Sequence, residues 1–347
     1  MVAATCSAQW FWRNLADPDV GEQWVQPARG TAAKPIWGHA KGLRVGLWPM
    51  GGPRGLLRIY TPYLGHEEGR VINFVAIEPI PKGQTDRSLS ELEPGLLDDM
   101  RGKRMWSVDS PDDPTPKSVT EPARGVIESI DGVETLTVFV PVERFDNGAH
   151  VYVRLRFRAD QPYEVGIATY AWPDSAELAY CISTATMGNY ARLRTLHLAQ
   201  GTKTAMELWP DYDGDAFAPH ARIPLKELHR MSCGSAILIA TPNETNPEEA
   251  EYAPGTRSGW RYEGKVATQY WRRQKPDPAL VALVNGRMMY WASQSPIPGG
   301  IAFENVELAE PFHSGQEYWF GVTTKTPAEL LQPPCPAQGA TCPVEDN

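Results

Sequence analysis

The sequence predicts an all-β fold, an antiparallel two-sheet β-sandwich with few short helices, and three observations carry that expectation. Short apolar or alternating runs recur along nearly the whole chain. Hairpin-type dipeptides punctuate them, at Asp131-Gly132, Asn147-Gly148 and Asn285-Gly286. Glycine and proline number 30 and 32 among 347 residues, which suits many turns and suits helix interiors badly.

Taken in order, strands are expected over 43–48 and 56–60 and over the uninterrupted apolar run 71–77. After a gap come 125–130 and 135–140 about an Asp-Gly turn, then 150–157, 163–170, 179–185 and 191–198. Later strands are expected over 204–209, 236–241, 265–271, 280–284, 288–292, 301–308 and 318–323, with Asn285-Gly286 joining 280–284 to 288–292 as a hairpin. Helical pattern is confined to 225–229 and a turn near 89–92. The stretch 98–124 holds Ser110-Pro111-Asp112-Asp113-Pro114-Thr115-Pro116, too rich in proline and acid for a core element, and reads as a long surface loop. No repeat or composition break divides the chain, so residues 1–326 read as one large sandwich domain and 327–347 as a C-terminal tail containing proline and cysteine.

The most informative element is 149–159, Ala-His-Val-Tyr-Val-Arg-Leu-Arg-Phe-Arg-Ala, whose strict alternation makes a strand with chemically opposite faces. Val151, Val153, Leu155 and Phe157 face one way; His150, Tyr152, Arg154, Arg156 and Arg158 face the other. Guanidiniums at every second residue repel, so either an anion lies across them or interleaved acids neutralise them. Tyr190, Arg192 and Arg194 repeat the pattern in 189–198, and Arg58 with Tyr60 repeats it in miniature. The expectation is a cationic floor for a polyanion, with a solvated outer face as the plain alternative.

Net charge is −9, which argues against a nucleic-acid partner. No run approaches the roughly 18 apolar residues of a membrane helix, so no membrane span is expected. Met1 to Cys6 lack the basic and apolar regions of a secretory signal, while the cysteines favour an oxidising compartment. Cys335 and Cys342 bracket the tail, and Cys6, Cys181 and Cys233 leave room for one further bridge, with one thiol left over. The expectation is a secreted or periplasmic protein whose signal has been replaced. Asn243-Glu244-Thr245 matches the glycosylation sequon.

Uronic-acid polymers are cut by β-elimination, which needs a group to neutralise the carboxylate, a base for the adjacent proton and an acid for the leaving oxygen. The alternating strands offer all three. Arg154 and Arg192 are assigned to the carboxylate, His150 or His197 to proton abstraction, and Tyr152 or Tyr190 to the leaving group. His197 lies opposite Tyr190 on a regular strand and joins the site only through a bulge. Substrate contacts are assigned to Arg156, Arg158, Arg194, Arg58, Tyr60, Gln269 and Tyr270, to His39 and His66 in glycine-rich loops, and to Asn73 as an amide neutraliser. A hydrolase instead needs two carboxylates about 5–10 Å apart. Glu304 and Glu307, at odd spacing, cannot share a regular strand face, and Glu78, Glu128, Glu143 and Glu164 show no pairing. Asp211, Asp213 and Asp215 alternate as calcium ligands do, but Arg222 stands where an EF-hand needs glutamate, so a structural Ca²⁺ competes with a solvated acidic turn and no cofactor is required.

Near the end, Ile301-Ala302-Phe303-Glu304-Asn305-Val306-Glu307-Leu308 and Gly315-Gln316-Glu317-Tyr318-Trp319-Phe320-Gly321-Val322 resemble the closing strands of concanavalin A-like jelly-roll carbohydrate-active proteins. The resemblance concerns fold and implies a curved sandwich holding an extended glycan. The compact Glu-x-Asp-x-x-Glu strand of laminarinase-like hydrolases is absent, and alginate-lyase strand motifs are not intact. The sequence thus leads to a polysaccharide lyase acting on an acidic polysaccharide or oligosaccharide, with a glycoside hydrolase or a non-catalytic glycan-binding module as alternatives.

Overall fold

Alternation gives each strand one apolar face, and two sheets bury those faces against each other. The computed structural model describes residues 14–30, 32–61, 71–186, 188, 190–243, 267–290 and 294–332. His66, the 244–245 part of the sequon, Cys6, Cys335 and Cys342 lie outside them.

The first sheet runs, neighbour to neighbour, β1 (Asp19–Val20), β2 (Trp24–Gln26), β3 (Ile36–His39), β4 (Arg44–Gly46), β5 (Leu57–Tyr60), β6 (Val71–Pro81), β11 (Leu178–Thr186), β19 (Ala302–Ala309), β18 (Val281–Arg287) and β14 (Ala221–Pro224). The second runs β13 (Gly201–Thr204), β12 (Leu193–Leu198), β16 (Ala236–Pro242), β17 (Thr268–Arg273), β20 (Gln316–Thr323), β10 (Glu164–Ala171), β9 (Val151–Arg158), β8 (Val133–Pro141) and β7 (Val126–Ile130). A short β15 (His229–Arg230) pairs beside β16. Every ladder is antiparallel, so the all-β, two-sheet expectation holds. Among the described residues no helix is long and apolar enough to cross a membrane.

The expected apolar face of β9 is the core face. Val151, Val153, Leu155 and Phe157 are fully buried and share one cluster with Leu57, Ile59, Val75 and Ile77 of the opposite sheet. Asn73 and Gln269 also meet there, the Asn73 amide donating to Gln269 Oε1 at 2.9 Å between the sheets. Asp131-Gly132 turns the β7–β8 hairpin with both residues at positive φ, 50° and 75°.

Four segments depart from expectation. Residues 204–209 form a short helix, α1 (Ala205–Leu208), because Thr204 and Glu207 cap its start reciprocally, and this local closure outweighs the alternation. Asn285-Gly286 is no hairpin turn; both residues lie inside β18, at a register shift where Val284 faces Val306 and Gly286 faces Phe303. The described part of 288–292 is accordingly not a strand. Residues 190–192 precede β12 in a turn, with Arg192 at φ 52°. Leu225–Glu227 is a single 3-10 turn. The 98–124 stretch carries no strand, yet Met105 joins the core and Trp106, Val108 and Ala123 are buried. A second short helix, α2 (Pro327–Leu331), lays Leu330 and Leu331 against Ile237, Ile239 and Tyr270 on the second sheet. Of the cysteines, Cys181 is buried and unbridged.

Phe157→Ala is expected to lower the unfolding free energy by about 3–5 kcal/mol, through lost burial and the cavity left between the sheets. Denaturant unfolding followed by tryptophan fluorescence reads this directly.

Candidate active site

The row expected on β9 exists, and it is neutralised by Glu317, two strands away on β20, and by Asp160 in the turn after β9. Arg154, Ala168 and Glu317 lie in register across β9, β10 and β20. Small residues on β10 let the arginines reach over to β20. At Gly166 a Cβ would stand 3.0 Å from the Trp319 ring and 3.1 Å from Glu317 Oε1, so only glycine leaves the passage open. Arg156 donates to both Glu317 oxygens, Nε at 2.8 Å, while Arg154 Nη2 reaches Oε1 at 3.4 Å. Arg158 holds both Asp160 oxygens, at 3.0 and 2.9 Å. Further along, Arg272 and the Tyr270 hydroxyl both donate to Glu164, and the Trp319 ring lies under Arg156 at 5.5 Å and Arg272 at 5.3 Å. Beyond Arg154, Tyr152 stacks on Tyr170 at 4.8 Å and meets Trp172 at 4.4 Å. His150 Nδ1 is 2.8 Å from Asp174 Oδ1.

The second expected group does not join the first. Tyr190 stacks on Tyr290 and packs with Phe74 and Ala76 on the outward face of the first sheet, whereas Tyr152 and Arg154 lie on the outward face of the second. Arg192 and Arg194 are buried and donate to backbone carbonyls, Arg192 to Pro298 and Arg194 to Pro298, Gly300 and Ile301. They tie down the 298–301 loop. His197 bonds the Thr241 hydroxyl on β16 at 2.9 Å, and burial lowers its pKa.

The remaining sequence candidates are placed as follows. Arg58 is fully buried under the carbonyls of Gly51, Pro53 and Leu56, and burial lowers its pKa to about 10. Beside it Tyr60 donates to Met50, with its pKa raised to about 12 by burial. His39 is not an exposed loop residue; it ends β3, buried between Trp24 and Phe157, and burial lowers its pKa to about 4. Asn73 and Gln269 lie in the core. Asp211, Asp213 and Asp215 are exposed, and among the described residues no three His, Cys, Asp or Glu side chains form a metal-holding group.

A different constellation occupies the outward face of the first sheet. Glu78 on β6 and Glu307 on β19 flank β11, and one nitrogen of Arg87 donates to both, at 2.7 and 2.8 Å. The two oxygens are therefore no farther apart than two hydrogen bonds laid end to end. Arg87 owes its position to a backbone clamp in which Ser88 and Ser90 bond along β6 and the Ser90 hydroxyl donates to Gly55. Gly55 sits at φ 76°, and a Cβ there would lie 1.9 Å from the Ser90 carbonyl oxygen, so the clamp requires glycine.

Opposite environments separate the two acids. Burial and the neighbouring Glu307 charge raise the Glu78 pKa to about 8, against the pull of Arg87. Burial also works against the Glu307 charge, but hydrogen bonding from His220, Arg87 and Thr184 overcomes it and holds Glu307 below the usual range. At neutral pH the pair is one carboxylic acid beside one carboxylate, the division of labour that acid–base catalysis uses.

His220 connects the pair to solvent. Its side chain is 38% exposed, and Nε2 lies 3.3 Å from Glu307 Oε1 and 3.3 Å from Asn285 Nδ2. The Asn305 amide donates to Asn285 Oδ1 at 3.1 Å, which turns Nδ2 towards the imidazole. With its proton on Nδ1, the ring accepts from Asn285 and leaves Glu307 Oε1 without a donor. With a proton on Nε2, it donates to Glu307. With Nε2–H held by Glu307, Nδ1 is the ring nitrogen left to exchange a proton with a bound molecule.

Sequence reasoning missed this set because the pairing is across strands, 229 positions apart. A local signal was present in Glu78, Glu304 and Glu307, acids set within otherwise apolar strands. The spacing rule that kept Glu304 and Glu307 apart fails through the β18–β19 register shift. Phe303 and Val306, three apart, both enter the core, so Glu304 and Glu307 share the outward side.

No family model matches the chain, and no curated protein sequence matches it. Among solved structures it is similar to the mutarotase-like YeaD of Salmonella typhimurium, with 9% identity over 88% of this chain and 96% of that one and a TM-score of 0.27. It is also similar to HI1317, with 9% identity over 88% and 97% and a TM-score of 0.21. At these values neither likeness carries an argument about chemistry. The jelly-roll resemblance stands only at its coarser level, a β-sandwich.

Glu304 supplies a test of this electrostatic picture. Burial raises its pKa to about 8, from 4.5. Below pH 4.5 folded and unfolded chains are both protonated there; between 4.5 and 8 only the unfolded chain ionises. Stability therefore falls as pH rises through that window, by up to about 1.4 kcal/mol per unit for one proton, and levels off above it. Glu304→Gln is expected to remove this component, seen as a flatter profile of denaturation midpoint against pH.

Proposed function

We propose that this chain is a carbohydrate-active acid–base enzyme that moves a proton on a neutral sugar at His220, with Glu307 as the buried counter-charge. The observation that supports it is the half-exposed imidazole whose Nε2 faces a fully buried, ionised carboxylate. The arrangement follows the logic in which a carboxylate orients a histidine and stabilises the imidazolium. One Arg87 nitrogen is already shared by two buried glutamates, whose ionised member repels a uronate carboxylate, and this favours an uncharged substrate. A glycosidic bond placed between Glu78 and Glu307 would have to displace the guanidinium that joins them, which weighs against hydrolysis.

The simplest reaction for one exposed proton shuttle is reversible opening of a hemiacetal ring. His220 takes the anomeric hydroxyl proton, the carbonyl forms as the ring C–O bond breaks, and the imidazolium returns a proton to the ring oxygen. The name carried by the YeaD protein agrees with this reading and adds no weight to it. A second reading keeps uronate elimination on the second sheet, favoured by the half-exposed cluster of His150, Tyr152, Tyr170 and Trp172 beside Arg154.

One panel separates them. Anomeric exchange is followed by NMR on common aldoses, and ultraviolet absorbance of unsaturated uronate with release of reducing ends is followed on acidic polysaccharides. Accelerated exchange, lost by roughly 10²–10⁴-fold in His220→Ala and similarly in Glu307→Gln, is expected. Unsaturated product unaffected by His220→Ala and abolished by Tyr152→Phe would instead select elimination on β9.

A further inference from the structure

The outward face that carries His220 and Glu307 holds a third buried acid that the proton shuttle does not use. Glu304 is 3% exposed, and its Oε2 is buried without a hydrogen-bond partner among the described residues. The register shift places it on the same side of β19 as Glu307. Arg287 on β18 is near enough for its charge to act on Glu304, and its Nε is likewise buried without a partner. The two strand positions are neighbours, since Arg287 pairs with Ala302. Arg287 is held otherwise: its guanidinium lies over the Phe217 ring at 4.9 Å, and its Nη2 is 3.5 Å from the Asp215 carbonyl. Phe217 is 50% exposed, so the Arg287 end of the cluster lies beside an aromatic side chain at the surface.

A buried carboxyl oxygen and a buried guanidinium N–H that each lack a hydrogen-bond partner are uncommon in a folded interior. Together they present an acceptor and a donor on adjoining strands. A hydroxyl group, which donates one hydrogen bond and accepts others, answers both at once. An anion has no hydrogen to give, so it answers the guanidinium and leaves an accepting Glu304 oxygen without a donor. The cluster adjoins the shuttle through a continuous path, in which Glu304 is next to Asn305, the Asn305 amide bonds Asn285, and Asn285 faces His220.

We infer that Glu304 and Arg287 form a hydroxyl-binding subsite that selects the sugar presented to His220, a ring hydroxyl donating to Glu304 Oε2 and accepting from Arg287 Nε while Phe217 covers an apolar edge of the ring. This rests on the proposal that the face binds a neutral sugar, and it adds the residues that choose which one. Neither side chain touches the reacting atoms; their effect falls on binding and specificity.

The test is a binding cycle on the full chain. D-glucose, D-galactose and D-mannose, with their singly deoxygenated derivatives, are titrated by calorimetry into wild type, Glu304→Ala and Glu304→Gln. Circular dichroism checks that each variant folds. Wild type is expected to bind one parent sugar at least about tenfold more tightly than Glu304→Ala. The difference should vanish for the one derivative lacking the contacted hydroxyl, and Glu304→Gln, which keeps a donor and an acceptor, should restore most of it. Equal binding of every sugar by wild type and Glu304→Ala overturns the inference. So does a loss spread evenly over all derivatives, or no sugar binding by wild type. An intact binding cycle without anomeric exchange in the wild type supports the subsite and overturns the proposed reaction, so the two fail separately.

Discussion

One guanidinium nitrogen between two glutamates sets the chemistry of the first sheet. Arg87 brings a single positive charge to Glu78 and Glu307, both withdrawn from water on strands flanking β11. Burying an ionised carboxylate without a partner costs several kcal/mol, and one cation balances one anion. The second carboxyl therefore keeps its proton. Which of the two does so follows from what else they touch. Glu307 also receives the Thr184 hydroxyl and faces His220, whereas the pull of Arg87 on Glu78 is outweighed by burial and by the Glu307 charge. The glycine at 55, the Ser90 clamp and the path of the chain after β6 all serve to hold that guanidinium in place.

The second sheet treats buried charge differently, and the contrast separates scaffold from site. There the arginine forks of Arg156, Arg158 and Arg272 are each filled by a carboxylate on both sides of the fork, and Trp319 is sandwiched between two of them. Paired forks of this kind rigidify a sheet, although Arg154 Nε and Trp319 Nε1 stay buried without a partner among the described residues. On the first sheet Glu304 Oε2 and Arg287 Nε remain unanswered, and His220 has two alternative partners for one nitrogen. Unfilled hydrogen-bonding capacity beside a proton shuttle is what a substrate needs.

The sandwich was legible because alternation is a local property: the β9 segment reveals its core face and its arginine face from eleven consecutive residues. The neutralising acid was not, because Glu317 enters from two strands away. The same limit hid the Glu78–Glu307 pair, whose members are joined only by sheet order. Where the reading of the residues failed locally, an interruption of regular geometry was responsible. The β19 bulge overrides period-two spacing at Glu304 and Glu307, the turn at 190–192 dissolves the second arginine row, and β18 runs straight through an Asn-Gly pair that spells a hairpin. The helix at 205–208 announced itself in Thr204 and Glu207, a capping box that competes with a strand pattern of the same length. His39 was misplaced for a related reason: neighbouring glycine suggested a loop, while Gly38 instead permits close approach of β4, where a Cβ would lie 2.3 Å from the Leu43 carbonyl oxygen.

The central claim is that Glu78 is protonated and Glu307 ionised at neutral pH, side by side under Arg87. Infrared difference spectroscopy of the carboxyl stretch tests it most directly, because protonated carboxyl groups absorb apart from carboxylates. Wild type at neutral pH should show buried protonated carboxyl bands, one of which disappears in Glu78→Gln; the same band should also weaken in Glu307→Gln, because Glu78 is then left alone with Arg87 and ionises. A band lost on replacing Glu307 and retained on replacing Glu78, or no protonated carboxyl signal at all, would contradict the account.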